Sequence, residues 1–92
     1  MRKVHNVLKS QKLIKIDLEY NEISNTIHSI KITGDFFLYP EDSLDKLETN
    51  LIDTKLEKNS LIQKIRESLD DSQVFGFDSE SLTKAILGCL IH

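Results

Sequence analysis

Two segments near the start of the chain alternate strictly between apolar and polar residues. The first, "KLIKIDLEY", predicts a half-buried strand, because successive side chains of a strand point to opposite faces. Its apolar positions are Ile14, Ile16, Leu18 and Tyr20. The second, "TIHSIKIT" at 26–33, places His28, Ile30 and Ile32 on one face. Asparagines separate the two segments, so together they predict an antiparallel hairpin over about 12–33, with room for a further edge strand.

Three later segments repeat apolar residues at intervals of three and four, which is the spacing of one helix face. Pro40 and the two acidic residues after it are typical of a first helical turn, and they predict a helix over about 41–52. Two more helices are predicted over about 60–69 and 79–90. The expected N-caps are Asn59 or Ser60 for the second helix and Asp78 or Ser79 for the third. The apolar positions are Leu44, Leu47 and Leu51, then Leu61, Ile62, Ile65 and Leu69, then Leu82, Ala85, Ile86, Cys89 and Leu90.

The order of these elements predicts the fold class. Strands come first and helices follow, which is typical of an α+β fold in which about three helices cover one face of a small antiparallel sheet. The chain has 92 residues, of which 39% are hydrophobic and 29% are charged. This length and balance predict one folded domain over 1–92.

The composition also bears on location. The longest apolar runs are too short to cross a bilayer, and the first residues lack the continuous apolar segment of a signal peptide. We therefore expect a cytoplasmic protein that does not contact a membrane. Cys89 is the single cysteine, so no disulfide within the chain is expected, and its apolar surroundings predict a place in the core.

Charge is distributed unevenly along the chain. Residues 1–34 carry six basic and three acidic residues, whereas residues 35–92 carry six basic and twelve acidic residues. One interpretation is a small nucleic-acid-binding module. The lysines that such a module would use are Lys9, Lys12, Lys15 and Lys31. The other interpretation is a solvated strand surface, and it is favoured because no aromatic residues are interleaved with these lysines.

No catalytic or metal-binding constellation is visible in the sequence. The three histidines, His5, His28 and His92, are far apart, and no His or Cys spacing of a metal site occurs. Cys89 has no neighbouring positive group to activate it, and the three glycines are too dispersed to form a phosphate-binding loop. We therefore predict no catalytic, cofactor-binding or metal-binding residue in this chain, and a function in binding a partner.

The stretch "KITGDFFLYPEDSLDKLE" is the unusual part of the chain. Two phenylalanines and a tyrosine follow a sharp turn at Gly34, where a positive φ or a bulge is expected. Phe36, Phe37 and Tyr39 belong either to the core or to a surface that meets another protein. The burial of these three side chains decides between the two.

This stretch also carries a family resemblance. In order along the chain, "KLIKIDLE" at 12–19, "IHSIKITGDFFLYPED" at 27–42, "LETNL" at 47–51 and "FGF" at 75–77 resemble the small C-terminal accessory domain of lipoate-protein ligases. The resemblance is to the archaeal form, a separate short polypeptide beside a catalytic subunit. The GDFF-x-x-PE string is its most specific motif.

The chain departs from the family pattern in three places. Ser10-Gln11 stands where a pair of glycines is expected, and Asn25 and Asp53 stand where a glycine is common. Asn and Asp tolerate left-handed backbone geometry better than other non-glycine residues do. The turns at Asn25 and Asp53 are therefore expected to survive the replacement.

The resemblance implies an accessory subunit that is required, with a separate catalytic subunit, for ATP-dependent activation of lipoate to lipoyl-AMP. The lipoyl group is then passed to the lysine of lipoyl carrier domains. ATP, Mg and lipoate are expected on the partner subunit and no cofactor on this chain alone. The predicted interface residues are Gly34, Asp35, Phe36, Phe37 and Tyr39. A third alternative is a self-associating structural protein that pairs through an exposed strand edge.

Overall fold

The computed structural model describes residues 1–9 and 12–90, which form eight elements. In chain order these are β1 (Arg2–Lys9), β2 (Leu13–Asn21), β3 (Thr26–Gly34), β4 (Phe37–Tyr39), α1 (Ser43–Leu51), α2 (Lys58–Ser68), β5 (Gln73–Phe75) and α3 (Ser79–Gly88). Strands β1, β2 and β3 form one antiparallel sheet in that order, and β4 and β5 form a separate antiparallel ribbon. The predicted α+β class is confirmed, because α1 and α3 pack against one side of the three-stranded sheet and α2 packs against these two helices.

The predicted hairpin is present as β2 and β3, and β1 is the further edge strand. The sequence "RKVHNVLK" did not identify β1 because its inward positions include a polar residue, Asn6. The Asn6 amide donates a hydrogen bond to the carbonyl oxygen of Ala85 at 2.9 Å, which joins β1 to α3. A Cβ atom at Gly88 would overlap the Asn6 amide, so glycine at this position lets the helix approach the strand closely.

A β-bulge in the hairpin corrects the predicted faces of β3. Glu19 pairs with Ser29, whereas the next residue of β2, Tyr20, pairs with Ile27. His28 is therefore the extra residue of the bulge, and the alternation changes phase at this point. Ile27 is fully buried and His28 is exposed, so the prediction that His28 shares the apolar face was wrong.

The hydrophobic core lies between the sheet and the helices. Its strand members are Ile14, Ile16, Leu18, Ile27, Ile30 and Ile32, and its helix members are Leu47, Leu51, Leu61, Ile65, Leu82, Ala85, Ile86 and the C-cap Cys89. Leu38 of β4 completes it, together with Leu56 and Phe77 from the connecting segments. The predicted apolar faces of β2 and of the helices are thereby largely confirmed, although Tyr20, Leu44, Ile62, Leu69 and Leu90 are only half-buried.

The helix boundaries differ from the predicted ones by up to two residues. Pro40 lies before α1, in a turn where its carbonyl oxygen accepts a hydrogen bond from the Ser43 N–H at 3.0 Å. Helix α2 begins at Lys58 after the extended residue Glu57, so the prediction of Asn59 or Ser60 as its cap was wrong. In α3 the predicted cap is confirmed, because Asp78 accepts a hydrogen bond from the Ser81 N–H at 2.7 Å.

The two residues that stand where the resemblance leads us to expect glycine adopt left-handed backbone geometry. Asn25 has a φ of 58° and Asp53 a φ of 69°, as the sequence predicted. The Asp53 N–H donates to the carbonyl oxygen of Ile27 at 2.7 Å, and the Ile27 N–H donates to Thr54 at 3.0 Å. These bonds place the segment after α1 along the outer edge of β3 and cover part of that edge.

Candidate interface on the β4 and β5 ribbon

The ribbon of β4 and β5 has two different faces. Its directly paired residues are Phe37 with Phe75, Leu38 with Val74 and Tyr39 with Gln73. Because side chains alternate along a strand, Leu38 and Val74 share one face and the aromatic residues share the other. Leu38 is buried and Val74 packs against the core, so this pair holds the ribbon onto the body of the protein.

Three aromatic side chains form the outer face of the ribbon, and we name this set the aromatic face: Phe37, Tyr39 and Phe75. Their side chains are 58%, 59% and 57% exposed. The rings of Phe37 and Phe75 are neighbours across the two strands, with centroids 6.3 Å apart. Large apolar residues clustered on a surface in this way mark an interaction site more often than isolated ones do.

The adjacent residue Phe36 has a different environment. Its half-buried ring packs edge-on against Phe77, with centroids 5.0 Å apart and an interplanar angle of 89°. This geometry is a favourable aromatic contact within a core. The three aromatic residues are therefore divided between core and surface. Phe36 packs against the core, whereas Phe37 and Tyr39 are exposed.

Two glycines fix the position of the aromatic face. Gly34 has a φ of 152°, and a Cβ atom there would overlap the carbonyl oxygen of Leu13, which accepts a hydrogen bond from the Asp35 N–H at 3.0 Å. Gly76 has a φ of 114°, and its Cβ would lie 2.9 Å from that of Phe36. Both conformations favour glycine. Gly34 orients the turn into β4, and Gly76 lets the chain after β5 lie against Phe36.

The Tyr39 end of the ribbon is joined to the start of α1. The hydroxyl groups of Ser43 and Ser72 are 2.8 Å apart and share a hydrogen bond, although Ser43 begins α1 and Ser72 precedes β5. Four exposed carboxylates flank these two serines in sequence. They are Glu41 and Asp42 on one side and Asp70 and Asp71 on the other.

Other exposed apolar residues are scattered over the described part of the chain. Ile23, in the turn between β2 and β3, is 98% exposed, Val7 is exposed on β1, and Ile52 is exposed after α1. Each belongs to a different element from the others. Residues 1–9 and 12–90 therefore contain one cluster of exposed large aromatic side chains, which is the aromatic face.

The described residues show no apparatus for acid-base or nucleophilic chemistry at this surface. They contain no group of three or more His, Cys, Asp or Glu residues placed to hold a metal ion. Burial raises the pKa of the Cys89 thiol to about 11, so the thiol stays protonated near neutral pH. His92 and Ser10-Gln11 lie outside the described residues.

The four lysines of the nucleic-acid interpretation do not form a continuous basic surface. In the strand register, Lys31 of β3 lies opposite Asp17 of β2, and Lys15 of β2 lies opposite Thr33 of β3. Acids lie among them on the outer side of the sheet, where Asp17 contacts His5 at 3.1 Å and Glu19 contacts Lys3 at 3.7 Å. This mixed surface matches the solvated-strand interpretation. Within residues 1–9 and 12–90, no helix is long and apolar enough to cross a membrane.

Sequence reasoning missed one member of the aromatic face, Phe75. The segment "VFGF" suggests a short turn or an edge strand, and the structure shows an edge strand, β5. Phe75 and Phe77 are two residues apart, which predicts the same face in a regular strand. The positive φ of Gly76 interrupts the alternation, so that Phe75 is exposed and Phe77 is buried. The glycine between these two aromatic residues was the feature of the sequence that could have predicted their placement on opposite faces.

Comparison with known proteins gives three consistent similarities. Residues 6–89 match the family model described as bacterial lipoate protein ligase C-terminus. The chain is 42% identical over 52 residues to lipoate-protein ligase A subunit 2 of Thermoplasma acidophilum, and this match covers 55% of the chain and 53% of that protein. The aligned part thus spans about half the length of this curated relative.

The fold is also similar to a solved structure. One chain from the structural analysis of an archaeal lipoylation system, a bi-partite lipoate protein ligase and its E2 lipoyl domain from Thermoplasma acidophilum, superimposes with a TM-score of 0.80. Its sequence identity to this chain is 30%, and the superposition covers 92% of this chain and 94% of that one.

Proposed function

This chain belongs to the lipoate protein ligase C-terminus family, and we propose that it is the accessory subunit of a two-chain lipoate-protein ligase. A separate catalytic subunit would bind ATP, Mg and lipoate and form lipoyl-AMP. The lipoyl group would then pass to a lysine of a lipoyl carrier domain. A cytoplasmic location is part of the proposal.

The similarity to subunit 2 of an archaeal ligase, and to a chain of a bi-partite ligase, supports a function in a two-chain enzyme. The single structural observation that carries the proposal is the aromatic face. Aromatic side chains are enriched at the energetically dominant positions of protein interfaces. The ribbon, which Leu38 and Val74 hold against the core, exposes three of them as a contact for the catalytic subunit.

The proposed role is to complete and close the adenylation site of the partner. Lipoyl-AMP is a mixed anhydride that water can hydrolyse, so a closed site protects it until the acceptor lysine arrives. Gly34 and Asp35 would set the direction of the ribbon, while Phe37 and Tyr39 would contact the partner. This role needs no reacting group from the accessory chain.

The test compares the catalytic subunit from the same genome alone, with this chain, and with the double variant Phe37→Ser/Phe75→Ser. Lipoate-dependent release of pyrophosphate reports adenylation. We expect full activity only with the unmodified chain, and a loss of at least about tenfold with the double variant, because truncating hot-spot residues costs at least about 1.4 kcal/mol.

Ile23→Ser is the matched control, because it also replaces an exposed apolar residue but lies in the turn before β3, at the opposite end of that strand from the turn into β4. It should support the same activity as the unmodified chain. Equal pyrophosphate release from the catalytic subunit without this chain would refute the accessory role. Equal activity of the double variant would refute only the assignment of the aromatic face.

A further inference from the structure

The Tyr39 end of the aromatic face carries a concentration of negative charge that the fold itself does not require. The carboxylates are those of Glu41, Asp42, Asp70 and Asp71, and we name this set the acidic corner. All four residues are exposed. The hydrogen bond between Ser43 and Ser72, 2.8 Å long, holds their two turns side by side. Like charges held close together destabilise the compact state.

Two of these carboxylates are in an electrostatically unfavourable place. Asp70 and Asp71 follow the end of α2, where the helix dipole presents partial negative charge. The basic residue in the last turn of α2, Arg66, donates instead to the Ser79 hydroxyl at 3.3 Å. Among the described residues, no ion pair involves any member of the acidic corner.

The other two carboxylates are only partly explained by the fold. Glu41 and Asp42 precede α1, where negative charge is favourable. Asp42 is the N-cap of α1, yet its side chain makes no capping hydrogen bond. Residues that break a local rule without a compensating contact in the folded chain are expected at functional surfaces. The acidic corner fits this description and adjoins the aromatic face through Tyr39.

This charge distinguishes between two possible occupants of the aromatic face. A second copy of the chain meeting it face to face would bring two acidic corners together, and like charges across an interface are strongly unfavourable. A partner with lysine or arginine beside an apolar pocket would satisfy both parts of the surface. Charge complementarity therefore favours a basic partner over self-association.

We propose that the catalytic subunit binds the aromatic face through an apolar pocket bordered by lysine and arginine residues, which pair with the acidic corner. The proposal rests on the accessory role proposed above. The acidic corner accelerates encounter and fixes the orientation of the complex, while the aromatic face supplies most of the affinity. The acidic corner also opposes the pairing of two copies of the chain through the same surface.

The test measures the association rate of this chain with its catalytic subunit at low and high salt. The variant is Asp70→Asn/Asp71→Asn, and the control is Glu22→Gln/Glu57→Gln, which makes the same charge change at exposed positions in the turn after β2 and before the start of α2. At low salt we expect the variant to associate about tenfold more slowly than the unmodified chain, and the control to remain within about twofold.

Two further readouts separate this role from a structural one. The melting temperature of the Asp70→Asn/Asp71→Asn variant should be unchanged or higher, because charge is removed from an unfavourable helix end. The salt dependence of its association rate should be weaker than that of the unmodified chain. An unchanged rate at low salt, or an equal loss in the control, would overturn the proposal.

Failure of this proposal can be told apart from failure of the accessory role. If Phe37→Ser/Phe75→Ser abolishes binding while the charge variant binds normally, the accessory role stands and the electrostatic proposal is wrong. If the unmodified chain does not bind the catalytic subunit at all, both are wrong. A stable dimer of the unmodified chain that Phe37→Ser/Phe75→Ser dissociates would likewise overturn the proposal.

Discussion

The outer side of the three-stranded sheet and the aromatic face are both exposed surfaces of antiparallel strands, yet they are built from opposite kinds of residue. On the sheet, basic and acidic side chains are neighbours and contact one another, as Lys3 and Glu19 do at 3.7 Å. On the ribbon, Phe37, Tyr39 and Phe75 are exposed instead. The sheet shows that strands of this protein fold with polar outer residues.

The ribbon is the smaller structure, with three residues in each strand, and is held by Leu38 and Val74 on its inner face. Folding thus places no evident demand on the outer aromatic residues. Short two-stranded ribbons are marginally stable without such packing. The comparison indicates that the inner face of the ribbon serves stability and its outer face serves binding.

The largest expected effect separates these two faces of β4. Leu38→Ala should reduce the free energy of unfolding by about 2–4 kcal/mol, because it removes a buried side chain and leaves a cavity. Phe37→Ser, at the adjacent position, should lower it by no more than about 1 kcal/mol, because only the exposed cross-strand contact with Phe75 is removed. Urea denaturation measures both. A similar loss of stability for Phe37→Ser would show that the outer ring supports the fold and would remove the distinction between the faces.

A second prediction concerns the backbone that positions the aromatic face. Gly76→Ala should lower the free energy of unfolding by about 1–3 kcal/mol, because alanine is strained at a φ of 114° and its Cβ approaches that of Phe36 to 2.9 Å. Asn25→Gly, at another positive φ, is the control and should change stability by only a few tenths of a kcal/mol. Thermal unfolding followed by circular dichroism gives both values. Equal stability of Gly76→Ala and the unmodified chain would contradict the assigned geometry.

Much of the scaffold could be predicted from the sequence, because period-two and period-three-to-four patterns report directly on which side of an element is buried. The β2 alternation and the helical leucine spacing are examples. The patterns failed where one residue changes the phase. The bulge at His28 and the positive φ of Gly76 each move neighbouring side chains to the opposite face, and a local pattern does not record this.

The candidate surface was predictable in position but not in detail. The segment from Gly34 to Tyr39 contains Phe37 and Tyr39 of the aromatic face, but Phe36 has the same side chain as Phe37 and a different environment. Residue type does not distinguish these two, because their burial depends on a strand 36 or more residues away. Phe75 belongs to the aromatic face because β5 pairs with β4 and places Phe75 opposite Phe37.

A third prediction concerns the N-cap of α3, the helix that packs against β1 and β2. Asp78→Ala should lower the free energy of unfolding by about 1 kcal/mol at neutral pH, because it removes a helix N-cap. Hydrogen bonds from Ser81 to the carboxylate hold the pKa of Asp78 below its usual value in the folded protein. The charged cap therefore stabilises the fold above the usual Asp pKa, and this contribution is lost as the pH falls through the lowered value.

The difference between Asp78→Ala and the unmodified chain should accordingly be largest at neutral pH and shrink in acid, as measured by urea denaturation over a pH series. Asp78→Asn is the control, because asparagine also caps helices but does not titrate. A gap between Asp78→Ala and the unmodified chain that widens in acid would contradict the assignment. Neither variant should alter binding of the catalytic subunit, since Asp78 belongs to neither surface named here.

The smallest expected effect returns to the outer side of the sheet. His5→Ala removes the exposed contact with Asp17, and such contacts contribute little because water and salt screen them. The free energy of unfolding should change by less than about 0.5 kcal/mol, and lipoate-dependent pyrophosphate release with the catalytic subunit by less than about twofold. A loss of activity comparable to that of Phe37→Ser/Phe75→Ser, without loss of stability, would mean that the sheet also contacts the partner. The contrast between a solvated sheet and a binding ribbon would then have to be abandoned.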